Sequence, residues 1–333
     1  MELTDGTLLF AYSRFAGNSW NDHASADIAL IRSKDGGKIW SEPEILIHQE
    51  AGWGNVMSVS FLRLHSGRIL LVHGRKRLVE DSPDARPVCY FSDDDGKTWS
   101  EPTTIINSPG YFVHNNDRLV QLRSGRILLP TAFHRWKHDD RSGIDYRGIG
   151  VVFFSDNDGE TWSEAPGLVY PIQTGMHNLQ KPGIVELDNG ELMLWARTDL
   201  GCQYKSFSFD NGMTWSAIMP APEFPSPTSP LSIKRAPASG DLIAVWNDYS
   251  PKYGVIPANG SWGRTPLVIA RSSDDGAHWN DHTPLETDPA SGFCYTAIHF
   301  NRDNSILLAY CGGGAPHGTA VLQDLVIRRI VGF

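Results

Sequence analysis

The chain has 333 residues, of which 41% are hydrophobic and 20% charged, an ordinary balance for a globular protein of one large or two small domains. Its formal net charge of −9 disfavours nucleic acid and anionic membranes as partners. No run of about 18 apolar residues occurs, so we expect no transmembrane helix, and residues 1–14 lack the basic start of a signal peptide.

Along the chain, the pattern Ser-x-Asp-x-Gly-x-x-Trp recurs five times. The copies occupy residues 33–40, 92–99, 155–162, 208–215 and 272–279, and the third carries Asn157 in place of the aspartate. Their tryptophans are 59, 63, 53 and 64 residues apart. Spacings of this length indicate an array of similar supersecondary units.

Short apolar or alternating runs surround the copies. Single runs precede them at residues 26–32, 86–91, 148–154, 204–209 and 266–271, and paired runs around tight turns fill the intervals at residues 59–74, 118–132, 183–197 and 231–247. Turns of the types Ser-Gly and Asn-Gly favour β-hairpins, and almost no segment shows helical periodicity. Each unit is therefore predicted to be about four antiparallel strands, a propeller blade.

The repeated pattern is predicted to be structural. Its aspartate and serine can accept hydrogen bonds from backbone N–H groups across a tight turn. Its glycine can adopt a left-handed backbone conformation, and its tryptophan can pack between neighbouring blades. Asn157 fits this interpretation, because an amide oxygen still accepts hydrogen bonds but cannot replace a catalytic carboxylate.

This pattern is similar to the Asp-box of the sialidase (neuraminidase) superfamily. The resemblance implies an all-β fold: a single domain over residues 1–333 forming a six-bladed β-propeller. The last blade, at residues 294–330, lacks an Asp-box, and an innermost strand of the first blade is expected to be missing. The resemblance also suggests a secreted or periplasmic location.

The four cysteines are Cys89, Cys202, Cys294 and Cys311, and none forms a CxxC pair. We therefore expect no zinc site and favour buried free thiols, although Cys294 and Cys311 are candidates for adjacent strands.

Polar residues are concentrated where the innermost strands are predicted to begin. Candidates for substrate contact there are Arg118, Asn116, His177 and Gln180. Guanidinium groups bind carboxylates through paired hydrogen bonds, so Arg118 is the strongest of the four. The alternative for each is an ordinary turn residue.

The resemblance implies specific roles for several residues. Asp22 resembles the acid/base aspartate, with Asp27 as a competing candidate, and Tyr295 resembles the nucleophile. Arg197 and Arg264 resemble two of three arginines that bind a sugar carboxylate, and Arg14 resembles a further arginine near that pocket. The first arginine of the triad is absent or replaced by Arg118, because only two residues precede the segment that it should precede.

Lys181 departs from the sialidase pattern, which has a glutamate at this position before a proline. A tyrosine nucleophile needs a base to remove its proton, and a cationic lysine cannot do this, although its charge would stabilise a phenolate. Three outcomes follow: impaired activity, a different use of Lys181, or a different sugar.

The leading hypothesis is a retaining exo-glycosidase that removes a terminal sialic acid or related carboxylate-bearing sugar from glycans and needs no cofactor or metal. A rival hypothesis is a carbohydrate-binding propeller without turnover. A third is a lyase or hydrolase for other acidic glycans, in which histidines act as bases; the histidines considered are His23, His114, His134, His138 and His177.

Overall fold

The computed structural model describes residues 1–77, 83–140, 143–172 and 175–333. These residues form 23 β-strands and no α-helix, with short 3-10 helices at Ala16–Asn18, Pro251–Tyr253, Asn259–Ser261 and Ala315–His317. None of the helices in the described ranges has the length and apolar character needed to cross a membrane. The predicted all-β fold is confirmed.

The first half of the chain forms two sheets. The first has the order β1-β2-β3, and in the second the strands β4 to β12 are all connected. A single parallel pairing, Ala85 with Tyr111, joins the two halves of this larger sheet. The strands are β1 (Leu8–Phe15), β2 (Ala26–Ser33), β3 (Glu44–Ile47), β4 (Asn55–Arg63), β5 (Ile69–Arg77), β6 (Asp84–Ser92), β7 (Thr103–Thr104), β8 (Tyr111–Val113), β9 (Val120–Gln121), β10 (Ile127–His134), β11 (Ile149–Ser155) and β12 (Ser163–Val169).

The second half forms three separate antiparallel sheets, in the orders β13-β14-β15-β16, β17-β18-β19-β20 and β21-β22-β23. The strands are β13 (Gln180–Glu186), β14 (Leu192–Arg197), β15 (Cys202–Ser208), β16 (Met219–Pro225), β17 (Ser232–Arg235), β18 (Leu242–Asn247), β19 (Leu267–Ser272), β20 (Asn280–Glu286), β21 (Ser291–Phe300), β22 (Ile306–Gly314) and β23 (Leu325–Ile330). The count of six blades and the single domain stay predictions, because β4 to β12 share one sheet instead of forming separate blades.

The Asp-boxes are tight turns held by their own side chains. In the second copy, Ser92 Oγ donates to Asp94 Oδ1 at 2.9 Å and accepts from Gly96 N at 2.8 Å. Asn157 of the third copy accepts from Thr161 N at 3.0 Å through its amide oxygen. The glycine at the fifth position of every copy has a φ between 80° and 87°, which is the backbone conformation that requires glycine.

Each Asp-box also packs its own strands against those of the preceding repeat. The tryptophans from the second to the fifth copy lie in apolar clusters shared with the preceding strands: Trp99 with those of β1, Trp162 with β5, Trp215 with β10 and Trp279 with β14. At the first copy, a Cβ added to Gly37 would lie 2.8 Å from Leu307 of β22. The last sheet therefore packs against the first, and the sheets close into a ring.

The inner edge of the first sheet is partly open. β1 pairs with β2 on one side, and on the other the chain start folds back so that Leu9 N donates to Met1 O at 2.8 Å. Cavities of about 370 Å³ and 570 Å³ lie beside β1. That the first blade lacks an innermost strand at this edge stays a prediction.

Candidate active site

Three inner strands carry the same irregularity. Pairing shifts register between Met57 and Ser60 in β4, between Gln180 and Gly183 in β13, and between Cys294 and Ala297 in β21. Within these bulges a non-glycine residue has a positive φ. The three residues are Ser58 at 61°, Lys181 at 52° and Tyr295 at 59°. Such angles cost about 1–3 kcal/mol each and tend to occur at functional sites.

The three bulges meet at one place. A cavity of about 250 Å³, called here the main cavity, is lined by all three bulge residues and by Asp22, Lys76 and Arg197, among others. The larger cavity of about 570 Å³ beside β1, called here the side groove, shares Asp22, Ser58, Lys181 and Tyr295 with it. The bulges thus set the wall between the two spaces.

Tyr295 and Arg197 are neighbours in the main cavity. Arg197 Nη1 lies 3.5 Å from the Tyr295 hydroxyl oxygen, and its Nη2 donates to Gln180 Oε1. Arg197 is 8% exposed. The guanidinium of Arg264 lies 5.3 Å from the centre of the Tyr295 ring, and Lys181 Nζ lies 5.7 Å from it. The tyrosine is therefore surrounded by cationic groups.

The other predicted arginines do not line the main cavity. Arg264 donates to Cys294 Sγ at 3.0 Å and to Thr228 O at 3.3 Å. Arg118 donates to Leu231 O at 2.7 Å and lines a separate cavity of about 280 Å³ instead of the main one. Arg14 is exposed and lines the side groove. Of the four arginines, Arg197 is the one that lines the main cavity.

Of the two competing aspartates, Asp22 lines the main cavity and Asp27 does not. Asn55 Nδ2 donates to Asp22 O at 2.8 Å and Lys76 Nζ donates to it at 3.2 Å, which fixes the loop. The Asp22 carboxylate is half exposed, 4.0 Å from Lys76 Nζ. Asp27 instead accepts from Gln49 N at 2.7 Å.

Burial and neighbouring charges shift the pKa of three groups in the main cavity. Burial lowers the pKa of Lys181 to about 8, helped by Arg197 and opposed by Asp22. Burial likewise lowers the pKa of Lys76 to about 8. Burial alone would raise the pKa of Asp22, but the charges of Lys76 and Lys181 outweigh it and leave the pKa below its usual range. At neutral pH, Asp22 is therefore an anion beside two lysines.

The remaining polar candidates are placed around this centre. His177 and Gln180 line the main cavity, and Asn116 lines the side groove and donates to Tyr295 O at 2.9 Å. Burial lowers the pKa of His134 to about 4 and that of His114 to about 3, so both are neutral at pH 7. Their ring nitrogens bond to the backbone carbonyls of Asp145 and Ser58.

Sequence reasoning missed Lys76. It lies in the basic run of residues 75–77, which reads as a solvated strand end, yet it is 6% exposed. Its ammonium also lies 5.5 Å from the centre of the Tyr111 ring. The signal available in the sequence was the alternation along β5, which places residue 76 on the same face as Gly74 and Val72.

Comparisons with known proteins match this architecture. The family model described as a BNR repeat-like domain matches residues 4–308. A sialidase of Clostridium perfringens is 27% identical over 240 residues, covering 66% of this chain and 59% of the relative. A sialidase of Bacteroides fragilis (strain YCH46) is 24% identical over 344 residues, covering 92% and 57%. The chain thus spans less than two thirds of the length of these relatives.

A solved structure shares the fold. The intramolecular trans-sialidase from Ruminococcus gnavus, in complex with oseltamivir carboxylate, superposes with a TM-score of 0.74 at 15% identity, covering 99% of this chain and 93% of that one. The ring of sheets and its central cavity therefore define a β-propeller of the sialidase type. The chain belongs to the BNR repeat-like domain family, within the sialidase superfamily.

Proposed function

We propose that this protein is an exo-acting glycosidase that removes a terminal sialic acid, or a related carboxylate-bearing sugar, from glycans. The observation that carries the proposal is the 3.5 Å separation between the Tyr295 hydroxyl and Arg197 Nη1, in a cavity that also contains Asp22. A nucleophile, a carboxylate-binding cation and a titratable acid within one cavity are the parts that this reaction needs. The Ruminococcus gnavus structure, which holds a carboxylate ligand, is consistent with the proposal.

In the proposed reaction, Arg197 binds the sugar carboxylate through charge-assisted hydrogen bonds. The Tyr295 oxygen attacks the anomeric carbon, and Asp22 gives a proton to the leaving oxygen. Water then cleaves the tyrosyl–sugar bond, and two displacements retain the anomeric configuration. This chemistry uses no cofactor.

Lys181 takes the place of the usual carboxylate base in this proposal. With a pKa of about 8, a fraction of its amine is neutral near pH 7.5 and can accept the phenolic proton. Once charged, the ammonium stabilises the remaining anionic character of the tyrosine. In this proposal an amine base that becomes a stabilising ammonium thus replaces the carboxylate base.

A binding protein without turnover is the second candidate, and one observation favours it. Asp22 has a lowered pKa because of Lys76 and Lys181, so at neutral pH it lacks the proton that a general acid must donate. A carbohydrate-binding propeller would keep Arg197 and would need no proton transfer.

The test compares hydrolysis of a glycoside with binding of its free sugar. Wild-type protein and Tyr295→Phe are incubated with the methylumbelliferyl glycoside of N-acetylneuraminic acid, and binding of the free sugar is measured by calorimetry. Fluorophore release by wild type that Tyr295→Phe loses supports the glycosidase. Release that survives in Tyr295→Phe contradicts the nucleophile assignment. Binding without release, repeated with a uronic acid glycoside, identifies a binding protein instead.

A further inference from the structure

Lys181 presents an amine that the fold leaves unengaged. In the described part of the chain, its Nζ makes no hydrogen bond and no ion pair, whereas Lys76 donates to Asp22 O at 3.2 Å. Lys181 lines both the main cavity and the side groove although it is only 8% exposed. The left-handed bulge, with a φ of 52°, sets its direction into the cavity wall.

The surroundings make this amine nucleophilic near neutral pH. Burial lowers its pKa to about 8, and the nearby positive charges of Arg197, Arg264 and Arg118 act in the same sense. Removal from water and neighbouring cations are the two conditions that activate lysines for attack on carbonyl carbons. Asp22 opposes the shift but does not cancel it.

Other groups in the main cavity match a particular electrophile. Arg197 is placed to bind a carboxylate. Asp22, as a carboxylate beside Lys76, can relay the protons that addition and dehydration require. A carbonyl carbon next to a carboxylate is the electrophile that would engage the lysine and the arginine together.

We propose that Lys181 forms a covalent imine with 2-oxo acids, an activity separate from glycoside cleavage. The neutral Nζ adds to the ketone carbon, so that a C–N bond forms and the carbonyl becomes a hydroxyl. Protonation of that hydroxyl expels it as water and leaves an iminium. One amine and one ketone, with one proton, give one iminium and one water, and nothing is oxidised or reduced.

Reductive trapping on the full chain tests this. Wild-type protein is incubated with pyruvate and sodium cyanoborohydride at pH 7.5, and the product is analysed by intact mass and peptide mapping. We expect one added pyruvate-derived group, located on Lys181. Acetone, which lacks the carboxylate, should react at least about tenfold more slowly, because it loses the charge-assisted bonds to Arg197.

Three variants make the result specific. Lys181→Gln and Lys181→Arg should lose the label, and the arginine variant retains the positive charge and so separates reactivity from electrostatics. Lys76→Gln should still be labelled on Lys181. Because peptide mapping is done on the wild-type protein, it locates the label even if a variant fails to fold. Label spread over surface lysines, label on Lys76, or equal labelling of Lys181→Gln would overturn the proposal.

The same preparations separate this activity from the proposed glycosidase. Trapping without fluorophore release supports the imine and counts against hydrolysis. Fluorophore release without trapping supports the glycosidase proposal and contradicts the imine proposal.

Discussion

Replacing Lys181 with methionine should stabilise the protein at neutral pH. Methionine keeps the length and apolar character of the stem and removes the ammonium. The native site lowers the pKa of Lys181 from 10.5 to about 8, which corresponds to about 3 kcal/mol of unfavourable burial of the charged form. Attraction to Asp22 is already contained in that shift.

The sign of the pH dependence follows from the same two values. Below pH 8 the lysine is protonated in both the folded and unfolded chains, and the full cost is present. Between pH 8 and pH 10.5 the folded chain loses its proton first, so wild-type stability gains on the variant as the pH rises. The advantage of Lys181→Met should shrink by about 2 kcal/mol between about pH 7 and about pH 9.5.

Denaturant unfolding, followed by the fluorescence of the 11 tryptophans, measures this at both pH values. Lys97→Met is the control, because Lys97 is exposed in an Asp-box turn, and its effect should be within about 0.5 kcal/mol at either pH. A Lys181→Met variant less stable than wild type at pH 7, or equally shifted at both pH values, would refute the reasoning.

Three further predictions concern the packing of β13, the side groove and the proton donor of the main cavity. Gly183→Ala should destabilise the protein by about 1–3 kcal/mol, because the new Cβ would lie 2.3 Å from Cζ2 of the buried Trp195. Gly260→Ala is the matched control, because the space around Gly260 is open. Equal unfolding midpoints for the two variants would count against this packing. Trp20 is 47% exposed and lines the side groove, where it should contact the remainder of the glycan. Trp20→Ala should therefore raise KM for an oligosaccharide and leave KM for the methylumbelliferyl glycoside unchanged. An equal rise in KM for both substrates would contradict this. Asp22→Asn should slow hydrolysis by about 10²–10⁴, because the leaving oxygen loses its proton donor; a rate equal to that of wild type would exclude Asp22 as the acid.

The repeat could be understood from sequence because its contacts are local. Ser92, Asp94 and Gly96 bond within a span of five residues, so residue types and spacing determine the turn. The packing of Trp99 on the preceding sheet also followed, since five large apolar rings at equivalent positions require equivalent partners.

The site was only partly accessible from sequence. Asp22 lies in the loop before β2, Arg197 ends β14 and Tyr295 lies in the bulge of β21, and all three line the main cavity. Arg118 also lies near the start of an inner strand, but its side chain turns towards Leu231, just before β17. The difference depends on bulges of one residue, and lysine and tyrosine at positive φ give no sequence signal comparable to glycine.

The three equivalent bulges suggest how the chemistry of this scaffold can be altered. At each of them the backbone already holds a side chain towards the common centre, and the three present examples are a hydroxyl, an amine and a phenol. The residues that pack the sheets lie at other positions, in the apolar clusters between them. Reactivity and folding thus depend on different positions of the same strands. Substitution of Ser58, Lys181 or Tyr295 could therefore introduce a new reaction while the residues that hold the ring remain unchanged.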